Sequence, residues 1–305
     1  MRILVSGSTG FLGTAVVETL EAQGHTVARL VRPDTERKDV TGVHAQTIAW
    51  DPVAGRFDAG AAEGADALIH LAGASIAEGR WNASRKELLR TSRVDATRHL
   101  IGALAPLREP PRVIVAASAI GIYGNRGDEI LTEASEPGND FLAGLCRAWE
   151  AETARGAEFG ARVVSLRFGI ILAAHGGALP RMALPFKLGA GGRLGDGRQW
   201  MSWLSLRETV GIIQYALRTS GLFGPVNAVT PNPVPNSEFT SVLSKTLHRP
   251  ALFPAPAFAL RLALGEMADA LLLVSQKVMP SKLAGSGYRF AQASLAGALE
   301  EALRK

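Results

Sequence analysis

The stretch Arg2-Ile3-Leu4-Val5-Ser6-Gly7-Ser8-Thr9-Gly10-Phe11-Leu12-Gly13 decides the fold. Three apolar residues run into a glycine-rich turn, and an apolar-periodic segment from Gly10 to Gln23 follows, which is the order strand, turn, helix. The spacing Gly7/Gly10/Gly13 alone decides nothing, because it recurs at Gly121/Gly124/Gly127 and Gly189/Gly192/Gly195. Only the first copy follows an apolar strand, opens a helix and precedes a second strand-like run, Thr26–Val31. There the three glycines have separate physical tasks. Gly7 permits a tight turn, Gly10 lets backbone approach a diphosphate, and Gly13 lets helix and strand pack closely. Gly7, Ser8, Thr9, Gly10, Phe11, Leu12 and Gly13 are therefore the candidate diphosphate-binding segment, with the positive end of the helix dipole behind it.

Working outward, strand-like runs at Val43–Ala49, Ala67–His70, Arg112–Ala117 and Arg162–Arg167 alternate with helical patterns at Ser84–Ala105 and Phe141–Phe159. Near-continuous apolar strands separated by crossover helices predict an α/β fold with a doubly wound parallel sheet. Beyond Phe168 glycine and proline become frequent, which predicts a smaller substrate-side region at residues 170–204. A helix at Ser205–Arg218 and a strand at Val226–Val229 follow, and Asn236 or Ser237 caps a helix running to Leu247. Residues 1–230 are read as a dinucleotide-binding domain and 231–305 as a mostly helical C-terminal appendage, with Pro256 and Pro280 opening two of its helices.

The tip of the second strand chooses the cofactor. A carboxylate there binds the ribose 2′-hydroxyl of NAD. This chain has Arg32, whose planar fork pairs with a 2′-phosphate, so NADP is favoured over NAD; Asp34, beyond Pro33, is the competing signal. The 305 residues are 47% hydrophobic and 20% charged, with one cysteine, Cys146, which excludes an intrachain disulfide framework and suits a reducing, cytoplasmic setting. No apolar run is long enough to span a membrane, and no metal site is expected. Eight basic and three acidic residues between Arg80 and Arg112 carry the whole net charge of +5. That helix is a solvated face, a dimer-forming face, or the wall of an anionic ligand site. A nucleic-acid binder would need the face to stay exposed and is disfavoured.

In this order, further motifs carry a resemblance over essentially the whole chain. They are Trp50-Asp51-Pro52, His70-Leu71-Ala72-Gly73, Arg80-Trp81 with Lys86 and Ser92-Arg93, Ser118 to Gly124, Phe141 to Glu150, Gln199 to Trp203, Asn227 to Pro233 and Pro280 to Leu283. With the glycine turn they resemble the atypical epimerase-family branch of the extended short-chain dehydrogenases/reductases, built on a Rossmann sheet. The resemblance implies that Asp51 sits beside the adenine. Leu71, Ala72 and Gly73 present backbone to the ribose and nicotinamide side, Arg93 reaches the cofactor from the basic helix, and Ile170 packs near the nicotinamide. His70 stands where the family more often has Asn.

Ordinary members of that superfamily use a Tyr-x-x-x-Lys pair, and this chain has none. The residues four places after Tyr123, Tyr215 and Tyr288 are Gly127, Thr219 and Gln292, and no lysine lies between Lys86 and Lys187. Cys146 falls near the expected lysine. The remaining candidates are Ser118, at the end of the fifth strand, and Tyr123, which is either a substitute acid or a packing residue. Cys146 is read as an inert buried thiol rather than a nucleophile. Glu150 is an acid/base or the partner of an arginine such as Arg147, and Arg167 is expected against a carboxylate or phosphate. Arg198, Trp200 and Trp203 are expected to line a substrate pocket. The leading expectation is an NADP-dependent oxidoreductase or epimerase acting on an unidentified small molecule, as a monomer or homodimer. The alternative is a non-catalytic NADP-binding regulator that reports redox state.

Overall fold

The computed structural model describes residues 1–33 and 46–304. The strands of its first half are β1 (Arg2–Ser6), β2 (Thr26–Val31), β3 (Gln46–Asp51), β4 (Arg56–Phe57), β5 (Ala67–His70), β6 (Val113–Ala119), β7 (Ile130–Leu131) and β8 (Arg162–Phe168). Those of the second half are β9 (Ile170–Leu172), β10 (Trp200–Met201), β11 (Trp203–Ser205), β12 (Gly224–Ala228), β13 (Val234–Pro235) and β14 (Lys277–Val278). The expected strand from Val43 begins among the described residues at Gln46; Asp34 and residues 43–45 lie outside them.

The central sheet has the order β12-β8-β6-β5-β1-β2-β3-β4 and is parallel except for β4. This is the doubly wound sheet expected from the alternation of runs. Chain order reverses between β1 and β5, where Ser6 lies opposite His70, and the crevice at such a reversal is where open α/β sheets bind ligands. Helices α1 (Phe11–Ala22), α2 (Ala83–Arg90), α3 (Ala96–Leu104), α4 (Phe141–Ala154), α5 (Leu179–Lys187) and α6 (Leu206–Arg218) follow in chain order. One apolar cluster sets α1 and α6 against Val5, Val115, Val164 and Val226; a second sets α3 against Leu4, Leu68 and Ile114 on the opposite face. Alternate residues of β1, β5 and β6 feed opposite clusters, as a sheet covered on both faces requires.

The expected Ser84–Ala105 helix is continuous in path but contains a π turn, Thr91–Asp95, between α2 and α3. The helices α7 (Asn236–Leu247), α8 (Ala257–Leu264), α9 (Ser281–Gly285) and α10 (Leu295–Leu303) complete the chain. Neither Asn236 nor Ser237 caps α7: Pro235 holds the N-cap position, and the Asn236 side chain instead accepts the Leu194 N–H at 2.8 Å. A third apolar cluster draws on both sides of residue 230, joining Leu172, Met201 and Trp203 to Phe239, Leu243 and Leu299.

His70 ties the order reversal together. It is fully buried, with Nδ1 2.6 Å from Ser6 Oγ and Nε2 2.9 Å from Thr97 Oγ1, and its ring lies edge-on to Trp50. Ser6 Oγ also accepts the Leu71 N–H, so both ring nitrogens are engaged whichever tautomer the neutral ring adopts. Burial lowers the His70 pKa to about 4. The unfolded chain therefore takes up a proton near pH 6.5 that the folded chain refuses. The stability due to this neutral ring is complete above that pH and is lost as pH falls toward about 4. Urea unfolding should show His70 costing about 2 kcal/mol between about pH 7 and pH 5. A His70→Asn variant should show a correspondingly flatter pH dependence, and equal slopes in the two proteins would refute the assignment.

Candidate functional site

The glycine turn is built by close approach. Gly7 has φ +71°, and a Cβ on it would lie 2.8 Å from the backbone of Leu71 and Ala72. A Cβ on Gly13 would lie 2.0 Å from the Gly7 carbonyl oxygen, so α1 can rest on β1 only with glycine there. Beside Gly10 such an atom would meet only the Gly7 oxygen, at 3.3 Å. Gly10 is the N-cap of α1, with no side-chain cap and no acidic residue in the first turn. The N-termini of α2, α4 and α6 are instead capped by Asn82, Asp140 and Ser205. The first turn of α1 thus keeps N–H donors and a positive dipole end for an anion.

Arg93 faces this turn across the Leu71-Ala72-Gly73 segment. A Cβ on Gly73 would lie 3.3 Å from the Arg93 Cζ, and the guanidinium donates to the carbonyl of Ala74 at 2.9 Å and stands 5.3 Å from the Trp149 ring centroid. It is half-buried and has no carboxylate partner among the described residues, and burial lowers its pKa. The π turn at Thr91–Asp95 carries it, the kind of local irregularity that recurs at functional sites. Arg32 is exposed, one residue beyond β2. Asp51 closes β3, its carboxylate held below the usual range first by the Ala54 N–H and then by Val53 and Arg56. Ile170 opens β9, half-buried, with its N–H on the Ser202 carbonyl.

Ser118, Tyr123 and Arg167 come together, but not as an open catalytic centre. Ser118 Oγ donates to Glu150 Oε1 at 2.6 Å, committing its one proton to α4. Arg167 forks onto the same carboxylate, Nε to Oε1 at 2.8 Å and an Nη to Oε2 at 2.9 Å, and also donates to the Tyr123 hydroxyl at 2.9 Å. Tyr123 in turn donates to Asn227 Oδ1 at 2.6 Å and is 0% exposed. The network takes the packing alternative for Tyr123 and the carboxylate alternative for Arg167. Tyr123 is a buried packing residue, and burial raises its pKa. Ser118 serves Glu150, and the Arg167 charge is spent on Glu150 rather than on a phosphate. Burial opposes the Arg167 charge, yet the Glu150 pairing outweighs it and raises the pKa above the usual arginine range. Glu150 pairs with Arg167 and not with Arg147.

The other two phenols are also engaged, Tyr215 with the Ser286 carbonyl and Tyr288 with Glu208. Cys146 is buried, its thiol pushed up to about 12 by burial and then by Glu150. Four residues before it, Leu142 packs in an apolar cluster with Leu89, Val94 and Leu145, against which Trp81, Phe141 and Leu271 lie. The expected substrate wall is not assembled either. Trp203 is fully buried in the third cluster, with its indole N–H on the Asn232 carbonyl. Trp200 donates to Asp128, with the Lys277 ammonium 4.0 Å from its ring centroid, and Arg198 is exposed in the loop before β10. Removing Arg167 strands the Glu150 charge, so Arg167→Met should cost about 3–5 kcal/mol in urea unfolding. Adding Glu150→Gln should recover a large part of that; a change below about 1 kcal/mol would show that the pair behaves as an exposed one.

Three comparisons place this geometry. The model of the NAD dependent epimerase/dehydratase family matches residues 3–227, and that of a domain of unknown function, DUF1731, matches residues 255–302. The chain is 39% identical over 297 residues to epimerase family protein Mb2239 of Mycobacterium bovis, covering 97% of this chain and 96% of that protein. To epimerase family protein YfhF of Bacillus subtilis it is 38% identical over 309 residues, covering 99% and 97%. The crystal structure of human epimerase family protein SDR39U1 (isoform 2) with NADPH superposes with a TM-score of 0.87 at 32% identity, covering 99% of each chain. With one family model spanning most of the chain and relatives matched nearly end to end, the chain belongs to the NAD dependent epimerase/dehydratase family.

Proposed function

We propose that this chain binds NADP(H) across the C-terminal edge of the sheet and acts as a hydride-transferring oxidoreductase or epimerase on a small substrate. The observation that carries the reading is the Gly7–Gly13 turn at the order reversal, facing a half-buried Arg93 that has no carboxylate partner among the described residues. The residues fit a dinucleotide. Gly7 and Gly13 tolerate no side chain, the outer side of Gly10 is open, and the uncapped first turn of α1 offers donors to a diphosphate. Arg32 would meet the 2′-phosphate, Leu71 to Gly73 would line the ribose, and Arg93 would supply positive charge on the nicotinamide half. The human relative crystallised with NADPH supports the choice of NADP. A bound nicotinamide supplies or accepts hydride.

A specific observation favours a second reading, a cofactor-binding regulator without turnover. Leu142 and Cys146 occupy the helix positions where the superfamily pair would stand, all three phenols are engaged, and the Cys146 thiol stays protonated at neutral pH. Under the enzymatic reading the proton comes from solvent or from the substrate itself.

Fluorescence titration with NADPH and NADH tests the cofactor assignment. NADPH should bind more tightly, and Arg32→Ala should cut its preference about tenfold or more, the worth of one charge-assisted contact. Equal affinities, or a preference that survives the substitution, would reject the 2′-phosphate role.

A further inference from the structure

On the sheet face away from α1, a groove of about 620 Å³ runs along β8 between α4 and the start of β12. Strand alternation explains its lining. Val164, Leu166 and Phe168 are buried against α1 and α6, so Val163, Ser165 and Arg167 turn the other way. Most of the wall is apolar, with Ala151 and Ala154 of α4 on one side and Pro225 on the other.

The polar groups are unbalanced. Glu150 is the single carboxylate of the lining, and Arg167 and Ser118 already hold it. Three arginines line the same groove. Arg162 spends its guanidinium on the carbonyls of Leu217 and Leu222, whereas Arg147 makes no hydrogen bond or ion pair with any described residue. Ser165 is 5% exposed, and its hydroxyl has no hydrogen-bond partner among the described residues. The hydroxyl faces the open space of the groove and is free to donate to a ligand there. One unpaired guanidinium fork and one free hydroxyl in an apolar groove of this size match a monoanion on an apolar body.

We propose that this groove is a second ligand site, separate from the glycine turn, for a carboxylate carrying a medium-length or aromatic apolar body. Arg147 and Ser165 receive the carboxylate, and the alanine face of α4 receives the body. Arg147 and Ala154 are both exposed on α4, at spacing that puts them on one face, so substituting them leaves the core intact.

Calorimetric titration of the full chain with octanoate, octanol and inorganic phosphate decides the matter. Octanoate should bind saturably at one per chain, with octanol at least tenfold weaker and phosphate silent. Arg147→Gln should weaken octanoate at least tenfold, Ala154→Trp should abolish its binding, and the NADPH titration should stay unchanged in both variants. No saturable octanoate binding, equal binding of octanol, or binding indifferent to both variants would overturn the proposal. So would light scattering in which Ala154→Trp halves the mass of a dimer that takes up no octanoate, since the groove would then belong to a second copy of the chain.

Discussion

The fold depends on how near α1 lies to β1. That contact is backbone on backbone, with the Gly7 carbonyl in the space a Gly13 Cβ would fill. Close packing there draws the first turn of α1 over the carboxyl end of the sheet, and Gly7 packs against the Leu71–Ala72 peptide at the order reversal. Pushing the helix out by the width of a methyl would displace its N–H donors from the crevice and open the β1–β5 junction that His70 closes. Local backbone geometry and the global binding site are thus one constraint, which is the consistency expected of a foldable sequence.

Much of this was legible in the chain itself. Apolar runs such as Ile3–Ser6 and Ala67–His70 are short, β-branched and separated by helix-length patterns, so the parallel sheet followed from periodicity. The glycine turn was legible because context, not spacing, singled out one of its three copies. What escaped was pairing across sequence distance. Nothing local says that Arg167 of β8 forks onto Glu150 of α4, or that Arg93 lies over Trp149. Tryptophan was equally opaque: the same indole reads as pocket wall or core, and Trp203 entered the core because its N–H found the Asn232 carbonyl.

The network of Ser118, Glu150, Arg167, Tyr123 and Asn227 stands where an active centre was expected. It joins β6, β8 and β12 to α4 and the segment before it, and its charges are satisfied by each other. Such an arrangement contributes little net stability relative to an apolar filling, since desolvation offsets most of the attraction. Its effect is on geometry: side chains with fixed hydrogen-bond partners have one arrangement, which holds α4 in register over the strand ends.

The π turn at Thr91–Asp95 inserts extra backbone into an otherwise regular helix. One added residue advances the helical wheel by roughly 100°, so the stretches before and after the insertion are out of phase. The earlier stretch sets Lys86 against Glu266 and the Phe141 ring, while the later one turns Leu100, Ile101 and Leu104 into the sheet. A single-residue deletion here would rephase the whole upstream segment, swinging Lys86 off its carboxylate while the downstream half kept its seat. The insertion is therefore a mechanical joint between two azimuths of the same rod, and Arg93 sits at the joint.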